Sequence, residues 1–147
     1  GFVLRPTTVP RDTYRNIKET GCFTVNHIHS AIIEDAHHTS AKYPTEVSEF
    51  SQTQLEEEYL EDFYPPYIQG AKVRLGCRFL NEYEIKENDT LLLVSQIEHV
   101  YVENKNILQE DGWLNLQNAD TVTINGLDGY AKTALLDRYS YARPKKI

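Results

Sequence analysis

Apolar and polar side chains alternate with a period of two along several stretches of the chain. Over residues 71–80, Val73, Leu75, Cys77 and Phe79 fall on one face, with Lys72, Arg74 and Arg78 on the other. That is the pattern of a strand with one face buried. Residues 90–102, TLLLVSQIEHVYV, form a long β-type run, and Asn88-Asp89 marks a turn before it. Two long strands joined by a polar turn predict a hairpin, the building unit of an antiparallel barrel. Gly76 inside the first strand predicts a bulge or a close backbone approach. Residues 22–29 alternate as well, Phe23, Val25, His27 and His29 against Cys22, Thr24, Asn26 and Ile28. This suits a strand with one face in the core and one near a polar site.

The period changes between these strands. Phe2, Val3 and Leu4 make an apolar run that stops at Arg5-Pro6, and a short helix comes next. Thr7 and Thr8 offer N-cap hydroxyls, and Pro10 sits in the first turn, where its missing N–H costs nothing. Tyr14, Ile17 and Lys18 are spaced to share a face, and Gly21 suits the C′ position. Ser30 is placed to cap a second short helix, with Glu34 and Asp35 in its early turns and Ile32, Ile33 and Ala36 as its buried stripe. Residues 44–70 are irregular and include the acidic run Glu56-Glu57-Glu58. Leu55, Tyr59, Leu60 and Phe63 there predict a helical turn or two, ended by Pro65-Pro66. Excursions of this length inside a compact domain commonly serve function. Asp111-Gly112 marks a turn and residues 121–124 a short strand, with Asn125-Gly126 and Asp128-Gly129 as turn signals beyond it. Tyr139 and Tyr141 alternate as a strand would, and Arg143, Lys145 and Lys146 read as a solvated tail.

Composition narrows the classes. The 147 residues are 40% hydrophobic and 25% charged, enough for one domain with a proper core. No apolar run reaches the ~18 residues of a membrane span, and no signal peptide is visible. The formal charge of −7 argues against nucleic acid, whose phosphates call for a basic face. Cys22 and Cys77 are isolated on predicted strands without a CxxC, and read as buried reduced thiols in a cytoplasmic protein. The chain has no Met and starts at Gly1 in what reads as mid-strand.

Three chemistries compete for the polar residues. The turn before the first helix gathers Thr7, Thr8, Arg5 and Arg11 around a helix N-terminus, a combination suited to phosphate; on chemistry alone, an ordinary capped helix with solvated arginines is the simpler account. Gly21, His27, His29 and Glu34 fit the first half of the cupin metal motif, and alternate histidines on a strand point to one side as ligands should. The second half of that motif is missing, Glu34 falls on a helical segment, and His99 has no matching context. Neither GxSxG nor GxGxxG is present, so nucleophilic catalysis and a Rossmann nicotinamide site find no motif.

The segments RPTTVPRDTYRNIKETGCFTVN, HTSAKYP and SEF, and the C-terminal NGLDGYAKTALLDRYSYARPKK, together resemble the flavin reductase-like FMN-binding family. The resemblance implies a mainly β chain with short helices, in a split-barrel flavin-binding fold, as one domain over residues 1–147. It also implies that several strands normally precede Gly1 and that this chain lacks them. On the family pattern, Arg5, Thr7, Thr8 and Thr13 lie at the FMN phosphate and ribityl chain, with Asp12 organising the turn. Asn26 closes the FxVN strand near the flavin pocket. Thr39, Ser40, Ala41 and Tyr43 run along the isoalloxazine or across a dimer contact, and Tyr130 comes directly after the Gly-rich turn. Residues 44–70 lie near the flavin and the dimer interface. One departure is plain: residues 125–129, NGLDG, stand where an Arg-Leu-Gly-Gly pattern is common.

The activity implied is hydride transfer from a transiently docked NAD(P)H to bound FMN, then electron delivery to an unspecified acceptor, in a homodimer. The cofactor would carry the chemistry, so no side chain is assigned as a catalytic acid or base. Two alternatives stand beside it: an FMN-binding electron carrier without reductase activity, and a metal-binding β-domain without flavin.

Overall fold

The computed structural model describes residues 1–5, 9 and 11–145. In chain order these form β1 (Phe2–Leu4), α1 (Asp12–Thr20), β2 (Cys22–Asn26), a 3-10 turn (Ser30–Ile32) leading into α2 (Ile33–His38), β3 (Glu57–Glu58), β4 (Tyr67–Ile68), β5 (Val73–Ile85), β6 (Thr90–Val102), β7 (Val122–Asn125) and β8 (Gly129–Lys132). A four-stranded antiparallel sheet in the order β1-β6-β5-β2 is the frame. The mainly β class with short helices is as the sequence predicts.

The β5–β6 hairpin spans thirteen residues on each side, and Asp89 turns it at φ 56°. Its register slips twice. Gly76 faces His99 while Cys77 faces Ile97, leaving Glu98 unmatched; Phe79 faces Ser95 while Asn81 faces Val94, leaving Leu80 unmatched. Each extra residue bends its strand and adds twist, which curls the sheet into a half-barrel.

The alternation resolves into two faces. On one, Phe23–Cys77–Ile97 and Val25–Leu75–Val100 form cross-strand rows. Val73, on that same side, packs fully buried with Ile107 and Ala119 from the segment after β6, flanked by Leu75, Val102 and Leu114. On the other, the rows are Thr24–Gly76–His99 and Asn26–Arg74–Tyr101. This second face receives the 44–70 excursion.

Helix α1 ends as its sequence says. Gly21 adopts φ 70° and its N–H donates to Ile17 O at 2.9 Å. Arg11 occupies the N-cap position and makes no side-chain capping bond; Thr7, Thr8 and Pro10, the start signals in the sequence, lie outside the described residues. Ile17 is buried, the Tyr14 hydroxyl donates to Glu82 Oε1 at 3.0 Å, and Lys18 Nζ sits 5.1 Å from the Phe79 ring centroid. The shared face of Tyr14, Ile17 and Lys18 therefore lies against β5.

Three local expectations are corrected. Ser30 caps no helix: its hydroxyl is held by the Asp120 carboxylate, whose Oδ2 also accepts the Ser30 N–H at 3.2 Å, and α2 starts only at Ile33. That Ser30 contact, with Lys132 at 3.2 Å, holds the Asp120 carboxyl down to about 2. Residues 55–63 form no helix either. The helical turn there is a 3-10 turn at Glu49–Gln52, and the rest is extended, with β3 pairing β4 and Gln69 N–H donating to Glu56 O at 2.9 Å. Finally, β7 and β8 form a hairpin turned at Gly126 (φ 70°), but residues 133–145 contain no strand, and Tyr139 and Tyr141 are exposed.

Candidate functional site

The 44–70 excursion is fastened to the sheet by side chains of β2 and β5. The Thr24 hydroxyl donates to Pro66 O at 2.7 Å, and Asn26 Oδ1 accepts the Ile68 N–H at 3.0 Å. Asn26 Nδ2 donates in turn to Thr24 Oγ1 at 3.1 Å. Arg74 pairs with Glu58, and the Tyr67 hydroxyl lies over the backbone of Gly76, where a Cβ would collide with it. Only a glycine admits that approach. Tyr67 is completely buried, between the rings of Phe63 (5.9 Å) and Tyr101 (5.4 Å).

Docked in this way, the excursion faces α1 across a cleft of about 690 Å3, within the usual range for small-molecule sites. Thr13, Asn16, Ile17 and Thr20 form one wall; Phe50, Tyr64, Pro65 and Pro66 form the other; Thr24 and Asn26 lie between them. Among the described residues the charged groups lining it are Glu19 and Glu49, with no Lys or Arg. Cationic side chains lie instead at the start of α1. Arg11 is half-buried with its Nε unpartnered, and Arg15 pairs with Asp12 at 2.9 Å.

Thr13, Asn26 and Thr39 of the sequence-derived candidates come together in this cleft. Thr39 lines it although its hydroxyl donates to Ala36 O at 2.7 Å. Thr7 and Thr8 lie outside the described residues. Asp12 accepts the Thr45 hydroxyl at 3.4 Å besides pairing with Arg15. Ser40 donates to His37 O at 2.7 Å, and Tyr130 is tied to the same histidine, its hydroxyl 3.1 Å from Nδ1. Arg5 and Ala41 are exposed and Tyr43 half-buried, none of them on the cleft wall. Sequence reasoning missed Thr24, Asn16, Phe50 and Tyr64. Thr24 had a signal, since it stands two residues before Asn26 on the same strand face.

The histidines singled out as metal candidates serve the C-terminal hairpin. His27 Nδ1 lies 3.3 Å from Thr121 Oγ1, and His29 bridges to Thr121 through the backbone. Burial lowers the pKa of both, favouring neutral rings. Among the described residues no group of three or more His, Cys, Asp or Glu side chains is arranged to hold a metal ion.

Comparison with known proteins agrees with the architecture. Residues 2–125 match the flavin reductase-like domain model. A candidate flavin reductase with a split barrel domain from Shewanella frigidimarina NCIMB 400 superposes with a TM-score of 0.89 at 39% identity, over 96% of this chain and 69% of that one. Flavoredoxin of Desulfovibrio vulgaris (Miyazaki F) shares the fold, with a TM-score of 0.73 at 20% identity over 90% and 69% of the two chains. A Methanothermobacter thermautotrophicus protein is 29% identical over 112 residues, 75% of this chain and 53% of its own length. The chain thus spans about half the length of the curated relatives it matches first. It belongs to the flavin reductase-like domain family, and its curled sheet is the split barrel of that family.

Asn26 holds two strands with one carboxamide, so its removal has a defined cost. Asn26→Ala leaves the Ile68 N–H without its acceptor and removes the donor to Thr24 Oγ1, which keeps Pro66 O as its own acceptor, and is expected to lower stability by about 1–2 kcal/mol. Urea unfolding with an unchanged m-value measures it. A loss below a few tenths would mean that the excursion does not depend on this bond.

Proposed function

We propose that this chain is the FMN-binding part of an NAD(P)H-dependent flavin oxidoreductase, with the planar ring in the cleft and the phosphate toward the start of α1. The observation that carries the reading is the distribution of charge. A walled cleft lined by apolar and hydroxyl groups, with carboxylates and, among the described residues, no cations on its walls, suits a neutral ring and repels a phosphate. The guanidinium of Arg11 next to α1, with its Nε unpartnered, supplies the complementary end, and a helix N-terminus adds unpaired N–H groups there.

In this arrangement Thr13, in the first turn of α1, offers its hydroxyl between the two ends. The amide of Asn26 is spent on Thr24 and Ile68, so it contributes the shape of the floor. Pro65 and Pro66 exclude water from one wall. A flavin held there would supply hydride acceptance from a nicotinamide and onward delivery of electrons. The same reading carries a homodimer, an acceptor yet to be identified and a cytoplasmic location.

The test is a visible spectrum after adding FMN and removing the excess, and then NADH or NADPH under anaerobic conditions. The expected result is retained absorbance near about 450 nm that bleaches with nicotinamide. Retention without bleaching would favour the electron-carrier alternative. A colourless protein would overturn the flavin reading.

A further inference from the structure

We propose that Tyr64 is the stacking residue of this cleft, laying its ring against the face of the bound flavin; the inference rests on the flavin reading above. Tyr64 lines the cleft and is 73% exposed, whereas its neighbour Phe63 is 8% exposed. Among the described residues its ring pairs with no other aromatic side chain and its hydroxyl makes no hydrogen bond. Tyr59 makes the contrast: it is also exposed, but its hydroxyl donates to Glu57 at 2.9 Å, and it does not line the cleft.

The backbone that carries Tyr64 is fixed on both sides. Phe63 packs edge-on to His99 at 5.1 Å and against Tyr67 at 5.9 Å. On the other side Pro65 restricts Tyr64 to extended conformations, and Pro66, whose carbonyl is held by Thr24, restrains Pro65 in turn. An aromatic ring held out of the core on a rigid stem keeps its apolar face in water until a flat partner covers it. Planar aromatic partners gain from offset stacking beyond simple area burial. The isoalloxazine is such a partner. An electron-rich phenol in contact with an excited flavin also quenches its emission by electron donation, with the electron returning to the phenol afterwards.

The experiment is FMN titration of the wild-type chain, Tyr64→Phe and Tyr64→Ala, reading both Kd and the emission of bound flavin. Stacking of this size corresponds to about three- to tenfold in Kd. The expected result is quenched emission in the wild type, recovered emission with affinity within about twofold for Tyr64→Phe, and recovered emission with three- to tenfold weaker binding for Tyr64→Ala. Equal affinity and equal quenching in all three would overturn the assignment of Tyr64 while leaving the flavin reading intact. Absence of FMN binding to the wild type would overturn both.

Discussion

Tyr67→Ala is expected to lower the unfolding free energy by about 3–5 kcal/mol, the range for emptying a buried aromatic site. Tyr67 is fully buried between Phe63 and Tyr101, and neither neighbour can collapse into the space without leaving its own packing. Tyr67→Phe should do the reverse. The hydroxyl is buried with no hydrogen-bond partner, and burial pushes its pKa up to about 12. An unsatisfied buried hydroxyl costs about 1–3 kcal/mol, so its removal should raise stability by about 1 kcal/mol. Urea denaturation of both variants checks the pair. If Tyr67→Phe were as damaging as the loss of a hydrogen bond, the hydroxyl would have a partner and the docking of the excursion would need another account.

Gly76→Ala is expected to cost about 2–3 kcal/mol by overpacking. The new methyl would meet the Tyr67 hydroxyl, His99 Cδ2 at 3.1 Å and His99 Cβ at 3.2 Å. Relief by side-chain movement is blocked. Tyr67 is buried, and His99 is stacked on Tyr101 at 6.1 Å while Phe63 closes its other side at 5.1 Å. The two positions should be energetically coupled. In a Tyr67→Phe background the colliding oxygen is gone, so the cost of Gly76→Ala should fall by about 1 kcal/mol. A double-mutant cycle measures it, and strict additivity would show that the two residues do not press on each other.

The elements legible in the sequence are those whose pattern is local. The thirteen-residue run at Thr90–Val102 and the alternation from Val73 gave the central hairpin, and Gly76 announced its irregularity. Helix α1 was readable from the shared face of Tyr14, Ile17 and Lys18 and from Gly21. The excursion was not. Its apolar residues at 55, 59, 60 and 63 have near-helical spacing, but contacts distant in sequence decide its path. Phe63 is drawn to Tyr67 and His99, Glu58 to Arg74, and the backbone at 66 and 68 to Thr24 and Asn26. Helix propensity is a weak prior against such burial. Ser30 failed for a similar reason, since Asp120, ninety positions away, captured its hydroxyl. Of the site, the strand carrying Asn26 and the helix carrying Thr13 were visible. The opposite wall was not, because Phe50 and Tyr64 reach the cleft only through that folded path.

The two walls of the cleft differ in how they are secured. The α1 wall is continuous with β2 and rests through Ile17, Tyr14 and Lys18 on the central hairpin. The other wall hangs from a few tethers at Thr24, Asn26, Arg74 and the Tyr67–Gly76 contact. A structure built like this opens in parts, the weakly tethered unit detaching at lower free energy than the frame. Amide exchange in such a segment proceeds without global unfolding, and a ligand that touches both walls raises the free energy of that partial opening. Occupancy and local order in residues 44–70 are therefore one equilibrium seen from two sides.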